Sequence, residues 1–213
     1  MDKNYHIEIT KNSLINDFHK SALQNIIRAN IGQDRLYFLI DHDHLHFDSN
    51  QFDASWKYIE AQRQIAITEI GNKNFRNAQA AFGRLLHTWQ DFFSHSNYIK
   101  LWLDNHPGNA AEEIDPDNKK LFLYPNLSSG HNNLLIEFLA LVPIVNKALM
   151  PLFPNNSHAR MNLDSPSSGK LFYFAYWAGF KRTKIEYSLL FQQYFKTTSD
   201  RDSFSLFQGK IPC

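Results

Sequence analysis

GRLLHTWQDFFSHSN, residues 83–97, predicts a helix, because no Pro or Gly interrupts it after its first residue. His87, Asp91 and His95 recur at every fourth position, and a helix places side chains at this spacing on one face. The positions around them are apolar, namely Leu85, Leu86, Trp89, Phe92 and Phe93. The sequence therefore predicts a polar stripe that is buried rather than solvated, and a buried polar stripe needs a partner.

Metal ions are one such partner, and the spacing indicates more than one of them. At 1.5 Å rise per residue the Cα atoms of His87 and His95 lie about 12 Å apart, too far for both side chains to reach a single ion at bond lengths of roughly 2 Å. Asp91 lies between them and is able to bridge two ions. The alternative is that these residues are hydrogen-bonded members of the core, which is the usual state of a single His on an apolar face.

The composition indicates one packed domain, residues 1–213. The chain has 213 residues, of which 43% are hydrophobic and 15% aromatic. Its net charge of +1, with Lys and Arg scattered along the sequence, gives no general field for nucleic acid. The single cysteine, Cys213, excludes an intrachain disulfide and a zinc site made of thiolates.

The N-terminal residues lack a basic region followed by a long apolar run, and no stretch reaches 18 apolar residues. We therefore expect a soluble protein that is cytoplasmic or exported without a signal peptide of the usual kind.

Apolar residues recur with helical spacing in long segments, and runs suited to alternating strands are scarce. The sequence therefore predicts an all-α fold, a single compact multi-helix domain. The predicted helices span about residues 12–32, 53–71, 74–98, 132–149 and 168–197.

Three segments lack this spacing. Residues 34–48 contain four Asp and three His and are predicted to form an irregular, functional loop. Residues 104–130 are rich in Pro, Asn, Gly and acidic residues and are predicted to form a long loop or lid. The tail after Thr198 is predicted to be frayed or loosely docked.

The chemistry of the candidate ligands favours a transition metal. Imidazole nitrogens and carboxylate oxygens suit zinc, whereas so much imidazole is a poorer fit for a hard cation such as magnesium. A site of this type without cysteine leans towards catalysis, because water can complete the coordination.

HTWQDFFSHSN, residues 87–97, resembles the signature helix of the zinc-dependent phospholipase C and fungal single-strand nuclease superfamily, and is most similar to its heterokaryon-incompatibility-protein-C-like branch. The likeness extends over most of the chain. YHIEIT at residues 5–10 looks like the N-terminal ligand segment, HFD at residues 46–48 like the His-Phe-Asp element, and SHARMNLDSP at residues 157–166 like the late element with His and Asn-x-Asp-x-Pro.

The resemblance implies a mostly helical fold that holds up to three zinc ions at the bottom of a cleft. It assigns one ion to Asp34, His46, His87 and Asp91, a second to Asp91 and His6, and a third to His95, His158 and Asp164. Asp164 enters as a substitute, because the position of the family's last carboxylate holds Asn162 in this sequence.

The resemblance also implies a function, a zinc-dependent phosphodiesterase most similar to phospholipase C. Its ions would activate a water molecule that Asp34 orients or deprotonates. The implied partner is a phospholipid headgroup or another phosphodiester, with possible peripheral membrane contact, and nucleic acid is the alternative substrate. A second hypothesis is a toxin-like or interaction domain with a structural or degenerate metal site.

Other residues of the same types leave alternatives open. Asp43 lies in the loop that contains His46 and is able to orient an imidazole rather than bind an ion. His131 is an alternative to His158 as a ligand of the third ion.

Overall fold

The computed structural model describes residues 1–35, 42–131 and 153–210. In these ranges the regular secondary structure is helical, which confirms the predicted all-α class. The α-helices are α1 (Lys3–Leu14), α2 (Lys20–Asn30), α3 (Phe52–Gly71), α4 (Phe75–His95), α5 (Tyr98–Asn105), α6 (Lys119–Phe122), α7 (His158–Met161), α8 (Leu171–Thr197) and α9 (Arg201–Phe207). Short 3-10 helices cover Ile31–Asp34, Asp43–Leu45, Ala111–Glu113 and Pro166–Ser168.

Helix α4 lies at the centre of the fold, and α2, α3 and α8 pack against it. Its second half is buried almost without interruption, and this includes the polar stripe as well as the apolar residues around it. Gly83 permits the close approach of α2, because a Cβ atom at this position would collide with the carbonyl oxygen of Ile26. The helix predicted from residues 74–98 is therefore present, and it is covered on several sides.

The N-terminal region differs from the prediction. A single helix was expected over residues 12–32, but α1 already begins at Lys3, and a turn at residues 15–19 separates it from α2. Polar His6 and Thr10 belong to the buried face of α1, so the apolar spacing that marks a helix is missing there. Phe18 lies in this turn, yet its ring is buried against Phe82 and Phe207. Its apolar side chain therefore continued the helical spacing of the sequence across the turn.

Two of the other predicted helices agree with the structure, and the prediction of a frayed or loosely docked tail after Thr198 is wrong. Helices α3 and α8 cover nearly the predicted segments 53–71 and 168–197. The tail is not frayed, because α9 buries Phe204 and Phe207 with exposed fractions of 3% and 0%. The helix predicted over residues 132–149 lies outside the described residues.

Residues 104–130 are mostly irregular, with a 3-10 turn and the short α6. Ile114 is fully buried, and Lys181 of α8 donates a hydrogen bond to its carbonyl oxygen. The hydroxyl of Tyr98 donates to the carbonyl oxygen of Asp115. These contacts fasten the middle of the segment to α5 and α8, and a lid function stays a prediction.

None of the described helices is long and apolar enough to cross a bilayer.

Candidate metal centre

Asp91 lies at the centre of a buried group of titratable side chains, and its exposed fraction is 1%. Its Oδ1 atom accepts a hydrogen bond of 2.7 Å from the amine of Met1 and lies 3.1 Å from Nε2 of His6. Its Oδ2 atom accepts a hydrogen bond of 2.8 Å from Nδ1 of His46 and lies 2.9 Å from Nε2 of His87. The two oxygen atoms thus face different neighbours.

One set of potential ligand atoms surrounds this carboxylate. Atoms of His6, Asp34, His87 and Asp91 all lie within 4.8 Å of one another. Oδ1 of Asp34 is 3.4 Å from Nε2 of His87, and the Asp34 side chain is 32% exposed, so this side of the set faces solvent. His46 adjoins the set, with its Nδ1 atom 3.1 Å from Nε2 of His87.

A second set consists of Asp48, His95 and His158, whose potential ligand atoms also lie within 4.8 Å of one another. Oδ1 of Asp48 is 3.2 Å from Nδ1 of His95. Asp164 approaches the other side of the same ring, with Oδ1 3.2 Å from Nε2 of His95. The rings of His95 and His158 meet edge to face at a centroid distance of 4.4 Å.

The structure therefore brings together the eight residues predicted as ligands: His6, Asp34, His46, His87, Asp91, His95, His158 and Asp164. It differs from the predicted grouping in two respects. His6 joins the set of Asp34 and His87 instead of standing apart. Asp48, which the ligand prediction missed although its motif was recognised, joins the set of His95. The ligand roles themselves stay predictions.

His131, the alternative to His158, does not belong to this centre. It is exposed, and its Nε2 atom lies 3.3 Å from the side-chain amide of Asn50. His131 follows Ser-Ser-Gly at residues 128–130, and its sequence surroundings do not distinguish it from His158; the tertiary structure does.

The local structure of the loop explains how His46 and Asp48 reach the centre. Phe47, between them, is fully buried and packs its ring on Trp56 and Phe92, at centroid distances of 4.5 and 4.9 Å. Its backbone adopts a positive φ of 58°, which costs free energy in a residue other than Gly. The buried ring fixes this unusual turn, and the two flanking side chains are held at the metal centre.

A buried amide orients His6. Its Nδ1–H group donates a hydrogen bond of 2.7 Å to Oε1 of Gln90, and the Gln90 amide in turn donates to the hydroxyls of Thr10 and Thr183. With Nδ1 used in this way, Nε2 faces Asp91 with its lone pair. Sequence reasoning missed Gln90, although its place next to Asp91 on a buried helix was a usable signal.

Burial and charge set different protonation states along the stripe. Burial lowers the pKa of His87 to about 4 despite the nearby Asp91 carboxylate, so its imidazole is neutral at pH 7. Burial and the Met1 ammonium oppose a charge on His95, but the carboxylates of Asp48, Asp91 and Asp164 together hold its pKa well above the usual value.

Asp91 is ionised in this environment. Burial favours its neutral form, yet His87, the Met1 ammonium, His95 and His6 hold its pKa well below the usual value. Burial likewise opposes the Met1 ammonium, and the charges of Asp164 and Asp91 outweigh it and raise the pKa of the amine to about 11.

The centre fits a transition-metal ion chemically. Nε2 of His6, 3.1 Å from Oδ1 of Asp91, is buried and has no hydrogen-bond partner among the described residues, and Oδ1 of Asp48 likewise makes no hydrogen bond there. A buried polar atom without a partner costs free energy, and a metal ion supplies the missing interaction for a lone pair. The atoms offered are imidazole nitrogens and carboxylate oxygens, the set that zinc accepts.

The chain matches the family model of the VWA7 N-terminal domain over residues 2–117. It is similar to the von Willebrand factor A domain-containing protein 7 of Rattus norvegicus, with 30% identity over 82 residues, and of Mus musculus, with 31% over 83 residues; each match covers 38% of this chain and 9% of the relative. The protein of the same name from Homo sapiens is 27% identical over 107 residues, 46% of this chain and 12% of the relative. The chain thus spans only about a tenth of these relatives. No solved structure matches it.

These matches correct the predicted family and function. The predicted membership of the phospholipase C and zinc nuclease superfamily is wrong, because the matches are to the VWA7 N-terminal domain and none is to that superfamily. The predicted zinc phosphodiesterase activity, phospholipase C-like or nuclease, is wrong for the same reason, and so is the toxin-like alternative. The catalytic role of Asp34 stays a prediction.

The motif misled for a physical reason. Spacing by four residues is what any helix requires to place His and Asp on one face, so the stripe of His87, Asp91 and His95 reports a buried polar face rather than one family. The match over residues 2–117 covers 116 of the 213 residues, which is more than half. The chain belongs to the VWA7 N-terminal domain family.

Proposed function

We propose that this chain is a metal-binding domain, which holds zinc ions in its interior and is stabilised by them. The observation that carries the proposal is the convergence of ligand atoms from His6, Asp34, His87 and Asp91 within 4.8 Å of one another. These residues come from α1, the 3-10 turn after α2, and α4, so the side chains are gathered by the tertiary fold and not by sequence proximity.

The electrostatics of the centre support a bound cation. The carboxylates of Asp34, Asp48, Asp91 and Asp164 lie around imidazoles, of which His87 is neutral at pH 7. Burying carboxylates is costly unless positive charge and ligand interactions accompany them. A zinc ion supplies both, since it binds ionised carboxylates and neutral imidazoles together.

The position of the ligands supports a stabilising role for the ions. An ion bound by the first set would join α1 and the turn after α2 to α4, and an ion bound by Asp48, His95 and His158 would join the His46–Asp48 loop and α7 to the end of the same helix. When the ligands come from separate segments, the free energy of metal binding contributes to the free energy of folding. We therefore propose at least two ion positions, and a separate position for the ion assigned to Asp91 and His6 remains part of the proposal.

The proposal is tested by the zinc content and the metal-dependent stability of the purified chain. We expect more than one zinc per chain by elemental analysis after reconstitution and dialysis, and a lower Tm after treatment with a chelator. His87→Ala should lower the zinc content and abolish the part of the chelator response that the first set contributes, because it removes a fully buried ligand of that set.

His131→Ala is the matched control, because it removes an exposed imidazole that lies outside both sets. It should retain the zinc content and the chelator response of the unchanged chain. A chain that holds no zinc after reconstitution, or a His87→Ala variant with the metal content of the control, would overturn the proposal.

A further inference from the structure

A second polar feature lies outside the metal centre. A surface pocket of about 260 Å³ is formed between α2, the turn that follows it and the first half of α4. Four of the eight arginines in the sequence line it: Arg28, Arg35, Arg76 and Arg84. They come from two stretches of the chain, residues 28–35 and 76–84, and folding places their positive charges around one depression.

Within the described residues, the charges of these arginines are not cancelled locally. No described Asp or Glu lines the pocket, and none of the four arginines forms an ion pair with a described residue. Two of them donate hydrogen bonds to neutral side chains: Nε of Arg84 donates to Oε1 of Gln62 at 2.7 Å, and Arg28 donates to Oδ1 of Asn25 at 3.4 Å. Arg63 and Arg182, in contrast, are both paired with Glu186.

The shape of the pocket restricts the size of its ligand. The small residues Ala29, Gly32 and Ala80 line it together with the arginines. Its volume lies below the range of about 300–1,000 Å³ that is typical of sites for drug-sized ligands. Guanidinium groups form paired hydrogen bonds with phosphate oxygens and remain charged at every physiological pH.

We propose that this pocket binds a compact anion that carries phosphate groups. Several uncancelled arginines around a small depression favour a ligand with more than one negative charge, and the planar donors match phosphoryl oxygens in particular. Arg84 precedes His87 by one helical turn, and Gln33 donates a hydrogen bond of 3.0 Å to the carbonyl oxygen of Arg84, yet no residue of the pocket belongs to either set of metal ligands. The two sites are neighbours that can be tested separately.

Calorimetric titration with inorganic pyrophosphate tests this proposal on the full chain. The double variant Arg28→Gln, Arg76→Gln removes two exposed charges without breaking an ion pair of the described residues, and circular dichroism verifies its fold. We expect its affinity for pyrophosphate to fall at least tenfold. Arg201→Gln, an exposed arginine on α9 outside the pocket, should bind as the unchanged chain does. Binding should weaken as the salt concentration rises.

A metal-free measurement separates the pocket from bound metal, since zinc itself attracts pyrophosphate. The unchanged chain, measured after treatment with a chelator and verified as folded by circular dichroism, should retain the affinity for pyrophosphate while it loses zinc. Equal affinity in the double variant and in Arg201→Gln would overturn the proposal, as would loss of binding when zinc is removed from a chain that stays folded. Citrate should bind more weakly than pyrophosphate, and equal affinity for both would overturn the assignment to phosphate groups. Absence of zinc from the chain would leave the expected pyrophosphate result unchanged.

Discussion

Two buried polar clusters touch α4, and they are built in opposite ways. In the ion-pair cluster, Glu186 of α8 is fully buried and accepts hydrogen bonds from Arg63 (2.7 Å) and Arg182 (3.0 Å). Arg182 also pairs with Asp117, and its guanidinium group lies 3.7 Å from the ring centroid of Trp89. In the metal centre, Asp91 and His87 are buried and Asp34 is 32% exposed, but polar atoms such as Nε2 of His6 have no hydrogen-bond partner among the described residues.

The two clusters differ in whether they contain the charges and donors that their buried polar atoms require. The ion-pair cluster contains its own positive and negative charges, so its desolvation is offset within the chain. The metal centre offers lone pairs from several directions, and the described residues provide too few donors for them. The ion-pair cluster makes its hydrogen bonds within itself, which indicates a structural role. The metal centre leaves lone pairs without donors, which indicates a bound ion.

The largest effect is expected from Asp91→Asn, which keeps the side-chain size and removes the central charge. Zinc at a free concentration a thousandfold above its Kd stabilises a fold by about 4 kcal/mol per site, and the variant should lose this contribution from the first set. The measurement is urea unfolding with and without chelator.

Asp104→Asn, at an exposed position, is the control and should keep the full response to the chelator. The same chelator response in both variants would contradict the account.

Glu186→Ala should destabilise the protein by about 3 kcal/mol, because Arg63 and Arg182 lose their shared buried partner, although Glu60 and Asp117 still pair with them. This loss should be the same with and without zinc, which separates the ion-pair cluster from the metal centre. Chemical unfolding of the variant at two zinc concentrations measures it. A loss of stability that disappears when zinc is added would show that the two clusters are energetically coupled.

Gln90→Ala should weaken zinc binding about 10- to 100-fold without removing a ligand, because the His6 ring loses the acceptor that fixes its orientation. Competition with a zinc-binding dye measures the affinity. Gln64→Ala, at an exposed position on α3, is the control and should leave the affinity unchanged. Equal zinc affinities of Gln90→Ala and Gln64→Ala would show that the Gln90 amide contributes to core packing and not to metal binding.

The smallest effect is a release of protons on zinc binding. The pKa of His95 is raised well above its usual value, so its imidazole is protonated at pH 7 and must lose that proton to become a ligand. His87, with a pKa of about 4, is already neutral and releases none. Zinc affinity should therefore rise with pH near neutrality, through the second set. Titration calorimetry in buffers of different ionisation enthalpy measures the release, and a heat that is independent of the buffer would contradict it.

The elements that the sequence predicted are those with local signals. The spacing of His87, Asp91 and His95 depends only on helix geometry, so their shared buried face was predictable. Helix α1 was missed because its buried face contains polar His6 and Thr10. Asp48 was missed as a neighbour of His95 because its position depends on the positive φ of Phe47, which no local pattern indicates.

Charge was the least predictable feature. Lys and Arg are scattered along the sequence, and this led to the expectation of no concentrated positive field. Folding nevertheless gathers Arg28, Arg35, Arg76 and Arg84 around one pocket, while Arg63 and Arg182 become buried partners of Glu186. Both outcomes arise from tertiary contacts between helices that are distant in the sequence. Local sequence patterns do not indicate such contacts.

Diffraction from crystals grown with zinc, measured at the zinc absorption edge, locates any bound zinc ions without reference to the proposed ligands. We expect anomalous peaks at two positions, one among His6, Asp34, His87 and Asp91 and one among Asp48, His95 and His158. A map without a peak at either position, from crystals in which these side chains are ordered, would contradict this expectation.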